Sequence, residues 1–591
     1  MMHQARKCLL AVISILPIIG CGGGSGSTPS TITVTVSPSS ATLVPGAQQH
    51  FSAAVSGATN QAVTWQVDGG TGGNATLGTI TSAGQYTAPA SVPKPPLVTV
   101  SAVAQAGGMG SAAVTISPPQ GAANQTPQTP PIELGTSGGN LNDSTTSGTT
   151  TTCCSGTLGV LVIRAGTQYI LSNNHVLARS NQATLGELIG QPGLVDTEPN
   201  HCDPTRATPV ATLSQFVQLP SGGTDSAPVP GTVDAALAAV TPSMVDPSGR
   251  ILGFGPSPDT CLQSPSNSAC AAAPALAPAL PALAMKVAKA GRSTGLTCST
   301  IDAINARVKV AYQSKCSKTA PNFTVVEFDN QVSVSGQQFS QGGDSGSLMV
   351  NAQTAQPIAL LFAGSDGAPF ETIGNPIAQV LNHLADPNTG AVPVIVGGGQ
   401  HSIACPAGSV GAIAANVTTA VPEAEKARAA NVSMRNATRL MRNLAVSGVA
   451  VGTSEDSPGE AAILVTINSA RLEGKLARDV VPATIDGVRT RIVPGTSSAL
   501  AEAEIRRGSA VKARVARGLM RNPAVFAVGV GASNDSPGEA ALVVVVDKNT
   551  TYTPPAVIEG VRTKVVRGGR FVASGWNESA QPQSCSLKRH N

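Results

Sequence analysis

Ser345 stands in the run Gly342-Gly-Asp-Ser-Gly-Ser347. Glycine on both sides of a serine allows a tight turn in which backbone N–H groups crowd toward one point. A serine hydroxyl held there is suited to attack a carbonyl carbon. The N–H groups of Gly343 and Ser345 are then the donors for the developing oxyanion. A Gly/Asp/Ser cluster by itself most often makes a plain turn, so the assignment needs a base and an acid elsewhere in the chain.

His175 supplies the base. It lies in Tyr169-Ile-Leu-Ser-Asn-Asn-His-Val-Leu177, where an apolar strand delivers an imidazole to a polar turn. A lone histidine in such a place is usually structural. Of the other six among the seven histidines, His3 and His590 sit at the chain ends and His50 in an early β-rich segment. His201, His383 and His401 lack the strand-to-turn setting. Asp234 supplies the acid, in Gly231-Thr-Val-Asp-Ala-Ala-Leu-Ala-Ala-Val240. A carboxylate in so apolar a run is costly to bury without a partner, and an imidazole N–H is a partner that benefits. The competing reading makes Asp234 the cap of a helix through the Ala-rich segment. Asp203, Asp225 and Asp246 are rival acids, each in a Pro/Ser/Gly-rich stretch suited to a solvated loop.

The order His175, Asp234, Ser345 resembles that of chymotrypsin-like (trypsin-like) serine peptidases. The resemblance rests on Ser172-Asn-Asn-His-Val176 at a strand end, on Asp234-Ala-Ala-Leu237, and on Gly343-Asp-Ser-Gly346 followed by the strand-like Ser347 to Val350. Cys154-Ser-Gly-Thr-Leu158 is similar to the strand entry before the family's histidine. Leu361-Phe-Ala-Gly-Ser365 is similar to the strand lining its substrate cleft. The resemblance covers residues 135–400. It implies a double β-barrel of about six strands each, with no cofactor and no metal. Ser345 would attack the carbonyl, His175 move the proton and Asp234 orient the ring. Gly343 and Ser345 would form the oxyanion hole. It places Ala363, Gly364 and Ser365 along the substrate pocket and Phe339 at its floor, where an apolar side chain disfavours Lys and Arg substrates. The chain departs from the family in three places. No activation cleavage site is evident, Val176 follows the histidine where relatives carry Cys, and a Pro/Ala-rich stretch at 271–285 interrupts the strands.

The N-terminus reads as an export signal. Arg6 and Lys7 precede the apolar run Leu9 to Ile19, too short for a stable membrane span. The run ends in Ile18-Ile19-Gly20-Cys21, which resembles a bacterial lipobox, and a Gly/Ser tether follows. Cys21 is the expected lipid attachment, anchoring the protein in the bacterial cell envelope without threading it through the membrane. The order is then a signal peptide (1–20), a tether (21–30), a β-rich domain (31–117) and a linker (118–134). The peptidase-like domain (135–400), a second linker (401–430) and two repeats (431–495 and 509–571) follow.

Residues 31–117 alternate apolar and polar in short runs separated by turn residues, a β-sandwich pattern with Trp65 as core aromatic. The runs Val36-Ser-Pro-Ser-Ser-Ala-Thr-Leu43, Val63-Thr-Trp65 and Gly84-Gln-Tyr-Thr-Ala-Pro89 resemble bacterial Ig-like domains. Residues 118–150 are rich in Gln, Thr, Pro, Ser and Gly. The Gly135-Thr-Ser-Gly-Gly139 within them matches a lipase pattern but lacks its strand-turn-helix context. The C-terminal repeat pairs Leu440-Met-Arg-Asn443 with Leu519-Met-Arg-Asn522. It also pairs Asp456-Ser-Pro-Gly-Glu-Ala-Ala462 with Asp535-Ser-Pro-Gly-Glu-Ala-Ala541, and Ile485-Asp-Gly-Val-Arg-Thr490 with Ile558-Glu-Gly-Val-Arg-Thr563. Each copy reads as a small α/β module, its repeated Asp, Glu and Arg forming a turn and a solvated rim or, as the alternative, a ligand site. The fold class is therefore multidomain and mainly β.

Eleven cysteines and an exported context make disulfides plausible. Cys261 with Cys270 and Cys298 with Cys316 are the local pairs; Cys153, Cys154 and Cys202 share the same region. No spacing fits zinc. A net charge of +4 is too small to indicate nucleic acid. The expected activity is that of a membrane-anchored serine endopeptidase with a polypeptide substrate. The alternative is a surface adhesion protein whose peptidase-like domain no longer turns over.

Overall fold

The computed structural model describes residues 32–573 apart from 44–46, 90–96, 117–121, 148–149, 199–200, 257–269, 314–322, 337–338, 366–370, 406–420, 469–470, 473–474 and 494–499. The expected signal segment and the expected lipid site Cys21 lie outside the described residues, as do Cys261 and Cys316. The chain is mainly β and divides after Pro118 into two compact units.

In the first unit a five-stranded sheet runs in the order Ser40–Leu43, Met109–Ile116, Leu97–Ala104, Val63–Val67, Gly70–Thr71. Alternation puts Val98, Val100 and Val114 on one face, where they meet Phe51, Trp65 and Tyr86 in a closed core. Trp65 is buried, as its place in the pattern predicts.

The second unit has two large sheets. The first is eight-stranded and holds Thr136–Asn140, Val160–Arg164, Thr167–Ser172, Thr208–Phe216 and Ala236–Val240. Its runs of Leu, Val, Ile and Ala make one core with Leu348, Val350 and Leu360. The second sheet is twelve-stranded. It contains Lys286–Gly291, Gly295–Gln313, Phe323–Ser335, Leu348–Asn351, Pro357–Ser365 and Glu371–Pro376, and then continues into the second C-terminal repeat. The join is antiparallel pairing of Ile304 with Val530 and Arg307 with Val528. Within the 271–285 stretch only Ala271–Ala272 is a strand, so most of it is irregular, as its prolines require.

Each repeat is a helix packed on a four-stranded arrangement. Glu423–Met441 precedes Val446–Thr453, Ala461–Ile467, Thr484–Ile485 and Val488–Val493. Glu502–Met520 precedes Val525–Ala532, Ala540–Asp547, Val557–Ile558 and Val561–Gly568. Both helices start earlier than the repeat alone suggests, and the first begins inside the stretch expected to be a linker. Their first turns carry Glu423 and Glu425, and Glu502 and Glu504, which suit the positive helix N-terminus.

The repeated motifs are not a solvated rim. Asp456, Asp535, Thr490 and Thr563 are fully buried, and Arg489 and Arg562 nearly so. They interlock the two copies reciprocally. Asp535 accepts from the Glu455 N–H at 2.6 Å, and Asp456 from the Asn534 N–H at 2.6 Å. Arg489 donates to the Thr563 carbonyl at 2.7 Å, and Arg562 to the Thr490 carbonyl at 2.7 Å. Each motif is therefore one half of an interface, and the two aspartates and the terminal nitrogens of the two arginines find hydrogen-bond partners across it.

Cysteine pairing follows space rather than sequence proximity. Cys153 bonds Cys202 and Cys298 bonds Cys405, with Cα–Cα distances of 5.5 and 5.8 Å. The expected Cys298–Cys316 pair is thus replaced. The strand Gly295–Gln313 carries Cys298 to the segment beyond the last strand of the eight-stranded sheet. Cys154 and Cys270 are also disulfide-bonded.

Candidate active site

The strand Thr167–Ser172 ends in buried Ser172 and Asn173, and a single helical turn, Asn174–Leu177, follows. This turn presents His175. Asp234 lies just ahead of the strand Ala236–Val240, which pairs with Thr167–Ser172. No helix runs through the Ala-rich segment, so the capping reading of Asp234 is excluded. Pairing Ser172 with Ala236 brings the two side chains together: His175 Nδ1 lies 2.6 Å from Asp234 Oδ2. The His175 backbone N–H also donates to Asp234 Oδ1 at 3.2 Å.

Asp234 is fully buried and fully engaged. The Tyr312 hydroxyl donates to Oδ2 at 2.9 Å. The Asp234 N–H donates to Asn375 Oδ1 at 2.9 Å, and Asn173 Nδ2 donates to the Asp234 carbonyl at 2.8 Å. Burial, and then the neighbouring Asp234 charge, push the Tyr312 hydroxyl well above its ordinary range, so it remains a donor. The rival acids are engaged elsewhere. Asp225 pairs with Arg570, Asp246 with Arg250 at 2.9 Å, and Asp203 accepts from the Thr205 N–H at 3.0 Å.

Ser345 sits on the Gly-flanked turn that opens into the strand Leu348–Asn351. Gly343 and Gly346 both have φ of +96°, a region disfavoured for other residues. A Cβ on Gly346 would lie 2.1 Å from Ser172 Oγ, and one on Gly343 would lie 2.4 Å from Ser293 Oγ. The turn is tied to the first sheet through Thr157. The Thr157 N–H donates to the Ser345 carbonyl at 2.8 Å and its hydroxyl to the Gly343 carbonyl at 2.9 Å. Ser345, Gly343 and His175 line one cavity with Asp143 and Arg179. Burial pushes the Asp143 carboxyl up to about 7, against the opposing pull of Arg179 and His175.

Asp344 points the other way, into the protein. It is fully buried and lies 3.2 Å from the ammonium of fully buried Lys289. It also accepts from the Ser293, Thr294 and Gln341 N–H groups at 2.8, 3.1 and 2.9 Å. Burial lowers the Lys289 pKa, while Asp344 opposes that shift. Neither Tyr312 nor Lys289 stands out in the sequence, because each is an isolated polar residue in a strand.

The pocket residues divide. Gly364 and Ser365 pair with a short strand, Phe571–Val572, from the end of the second repeat. Ala363 is buried against Phe362, Phe571 and Ala573. Phe339 packs instead with Val287, Ile301, Met349 and Leu361, and is not among the residues lining the cavity of His175 and Ser345. Among the described residues no group of His, Cys, Asp and Glu could hold a metal ion. No protein-family model matches the chain, and no curated protein matches it.

Proposed function

We propose that the chain is a serine endopeptidase of the trypsin-like type, acting through Ser345, His175 and Asp234. The observation that carries this reading is the 2.6 Å contact between His175 Nδ1 and buried Asp234, in a cavity shared with Ser345 on its glycine turn. In this mechanism Ser345 Oγ attacks the carbonyl carbon of a peptide bond and His175 Nε2 takes the hydroxyl proton. Asp234 holds the Nδ1–H tautomer and stabilises the imidazolium. His175 returns the proton to the leaving amine, and water then hydrolyses the acyl-enzyme. The N–H groups of Gly343 and Ser345 stabilise the tetrahedral oxyanion. In this reading the two sheets around the site are the two barrels of the fold. The first unit is an Ig-like stalk, the repeats are paired α/β modules, and lipid on Cys21 anchors the protein in the cell envelope.

A binding protein with a silent peptidase-like domain is the second reading. Occupation of the cleft by residues 571–573 of the chain itself favours it. Labelling with a fluorophosphonate separates the two, because only an activated serine reacts. Labelling of the native chain that disappears in Ser345→Ala supports the peptidase. Absence of labelling even in Phe571→Ala, with the cleft opened, sinks it.

A further inference from the structure

The strand Phe571–Val572 follows the last long strand of the second repeat, Val561–Gly568. It lies in a slot between two strands of the twelve-stranded sheet. On one side it pairs antiparallel with Pro357–Ser365, Val572 opposite Gly364 and Phe571 opposite Ser365. On the other it pairs parallel with Gly295–Gln313, Phe571 beside Val310 and Val572 beside Ala311. The Ala573 N–H donates to the Ala311 carbonyl at 3.2 Å. Phe571 is fully buried and Ala573 nearly so, in a cluster with Phe362, Ala363 and Tyr312. An extended peptide bound on a sheet edge uses the same main-chain bonds, with its side chains in pockets. The strand therefore occupies the edge of Pro357–Ser365 on which a substrate backbone would pair.

The end of this strand also engages the nucleophile. Ser345 Oγ donates to the Ala573 carbonyl oxygen at 3.1 Å. The hydroxyl proton is thus directed away from His175, whose Nε2 is buried and has no hydrogen-bond partner. A general base must lie within hydrogen-bond reach of the proton it takes. His175 is joined to Asp234, while Ser345 is bonded to the strand instead. The repeat that delivers the strand is fastened to the same sheet. Val525–Ala532 pairs with Gly295–Gln313, and Lys512 pairs with Asp329 and donates to Asn305 Oδ1 at 3.3 Å. Arg570, just ahead of the strand, pairs with Asp225.

Building on the serine peptidase reading, we propose that the second repeat is a built-in inhibitor of that site. Its terminal strand fills the edge needed by a substrate, and the Ala573 carbonyl holds the Ser345 hydroxyl off His175. No covalent bond is made or broken, so the block is reversible. Because the strand belongs to the same chain, it competes with a free peptide at high effective concentration. Only molecules whose strand has left the slot react, and the observed rate scales with their fraction. Phe571 is the anchor, since leaving the slot exposes its fully buried ring to water.

The experiment is the rate of fluorophosphonate labelling at Ser345 in the full chain, with thermal melting in parallel. Phe571→Ala is expected to label roughly ten-fold faster than the native chain, or more, because the open cleft is more populated. The opposite change locks the strand in place. Gly364→Cys together with Val572→Cys sets two cysteines on directly opposed positions, and a Cβ on Gly364 meets nothing closer than 3.6 Å. The disulfide-locked chain is expected not to label. Equal rates in the native chain and Phe571→Ala, or a locked chain that labels at the native rate, overturn the inhibition and leave the peptidase reading standing. If Phe571→Ala shows no cooperative melting, the locked chain decides alone: labelling lost supports the inhibition, and labelling kept overturns it. Failure of the native chain and a folded Phe571→Ala alike to label overturns both readings.

Discussion

Lys289 and Asp344 form a fully buried ion pair, 3.2 Å apart, directly beneath the turn that carries Ser345. Burying two charges is costly, and removing one partner leaves the other unpaired at a cost of about 3–5 kcal/mol. The pair therefore ties the Gly343–Gly346 turn to the strand Lys286–Gly291.

Lys289→Met should lower the thermal transition and abolish fluorophosphonate labelling, because Asp344 is left buried and uncompensated. Adding Asp344→Asn removes that charge, so the double variant should regain part of the thermal loss. Labelling should stay low in the double variant if the pair positions the turn. A Lys289→Met chain with full labelling and an unchanged transition contradicts the positioning role.

Asp234→Asn should reduce activity at neutral pH by roughly four orders of magnitude with little effect on folding, by favouring the wrong imidazole tautomer. Tyr312→Phe removes one of the hydrogen bonds to the buried carboxylate. Loss of a bond to a charged group is worth about 1.5–3 kcal/mol, and the effect should fall on kcat more than on KM. Asp203→Asn, Asp225→Asn and Asp246→Asn should keep most activity, since none of these groups contacts His175. Kinetics on a small ester substrate, in chains with the cleft opened by Phe571→Ala, provide the comparison.

His175, Asp234 and Ser345 could be read from the sequence because each sits in a short local pattern that states its own setting: a strand end, an apolar run, a glycine turn. Tyr312, Asn375 and Lys289 could not, because their partners arrive from distant segments and nothing near them in the chain signals it. The repeats were visible as repeats, but the burial of Asp456 and Asp535 was not. One copy of the motif looks like an exposed turn; only two copies facing each other give its aspartate a partner. Phe571-Val572 is a short apolar pair at the end of a module, and its place beside Gly364 and Ser365 depends on how the second repeat extends the twelve-stranded sheet. Likewise the Cys298–Cys405 bond spans 107 residues, and spacing gives no hint of it.

Cys21 is the only attachment expected to hold the chain on a membrane. Among the described residues no helix is long and apolar enough to cross one. Cys21→Ser should move the protein into the soluble envelope fraction. Retention of that variant on membranes after a salt wash would mean that another segment anchors it.

The joint between the repeats should weaken in acid. Glu504, in the first turn of the second repeat's helix, receives hydrogen bonds from Arg507 at 2.8 Å, from Arg478 of the first repeat, and from the Ala540 N–H at 3.2 Å. Burial alone would raise its pKa, but the bonds from Arg507 and Arg478 outweigh that and bring it down to about 2. The folded chain thus binds this proton less readily than the unfolded chain, whose carboxyl titrates near its ordinary 4.5. The stabilisation is present above that value and is lost as the pH falls from 4.5 toward 2. Glu504→Gln keeps the shape and one acceptor oxygen but not the charge. It should lower the thermal transition at neutral pH and flatten the dependence of that transition on pH across the same window. Parallel melting curves for the native chain and Glu504→Gln between neutral pH and pH 3 test this. Equal slopes in the two proteins would show that the acid sensitivity resides in other carboxylates.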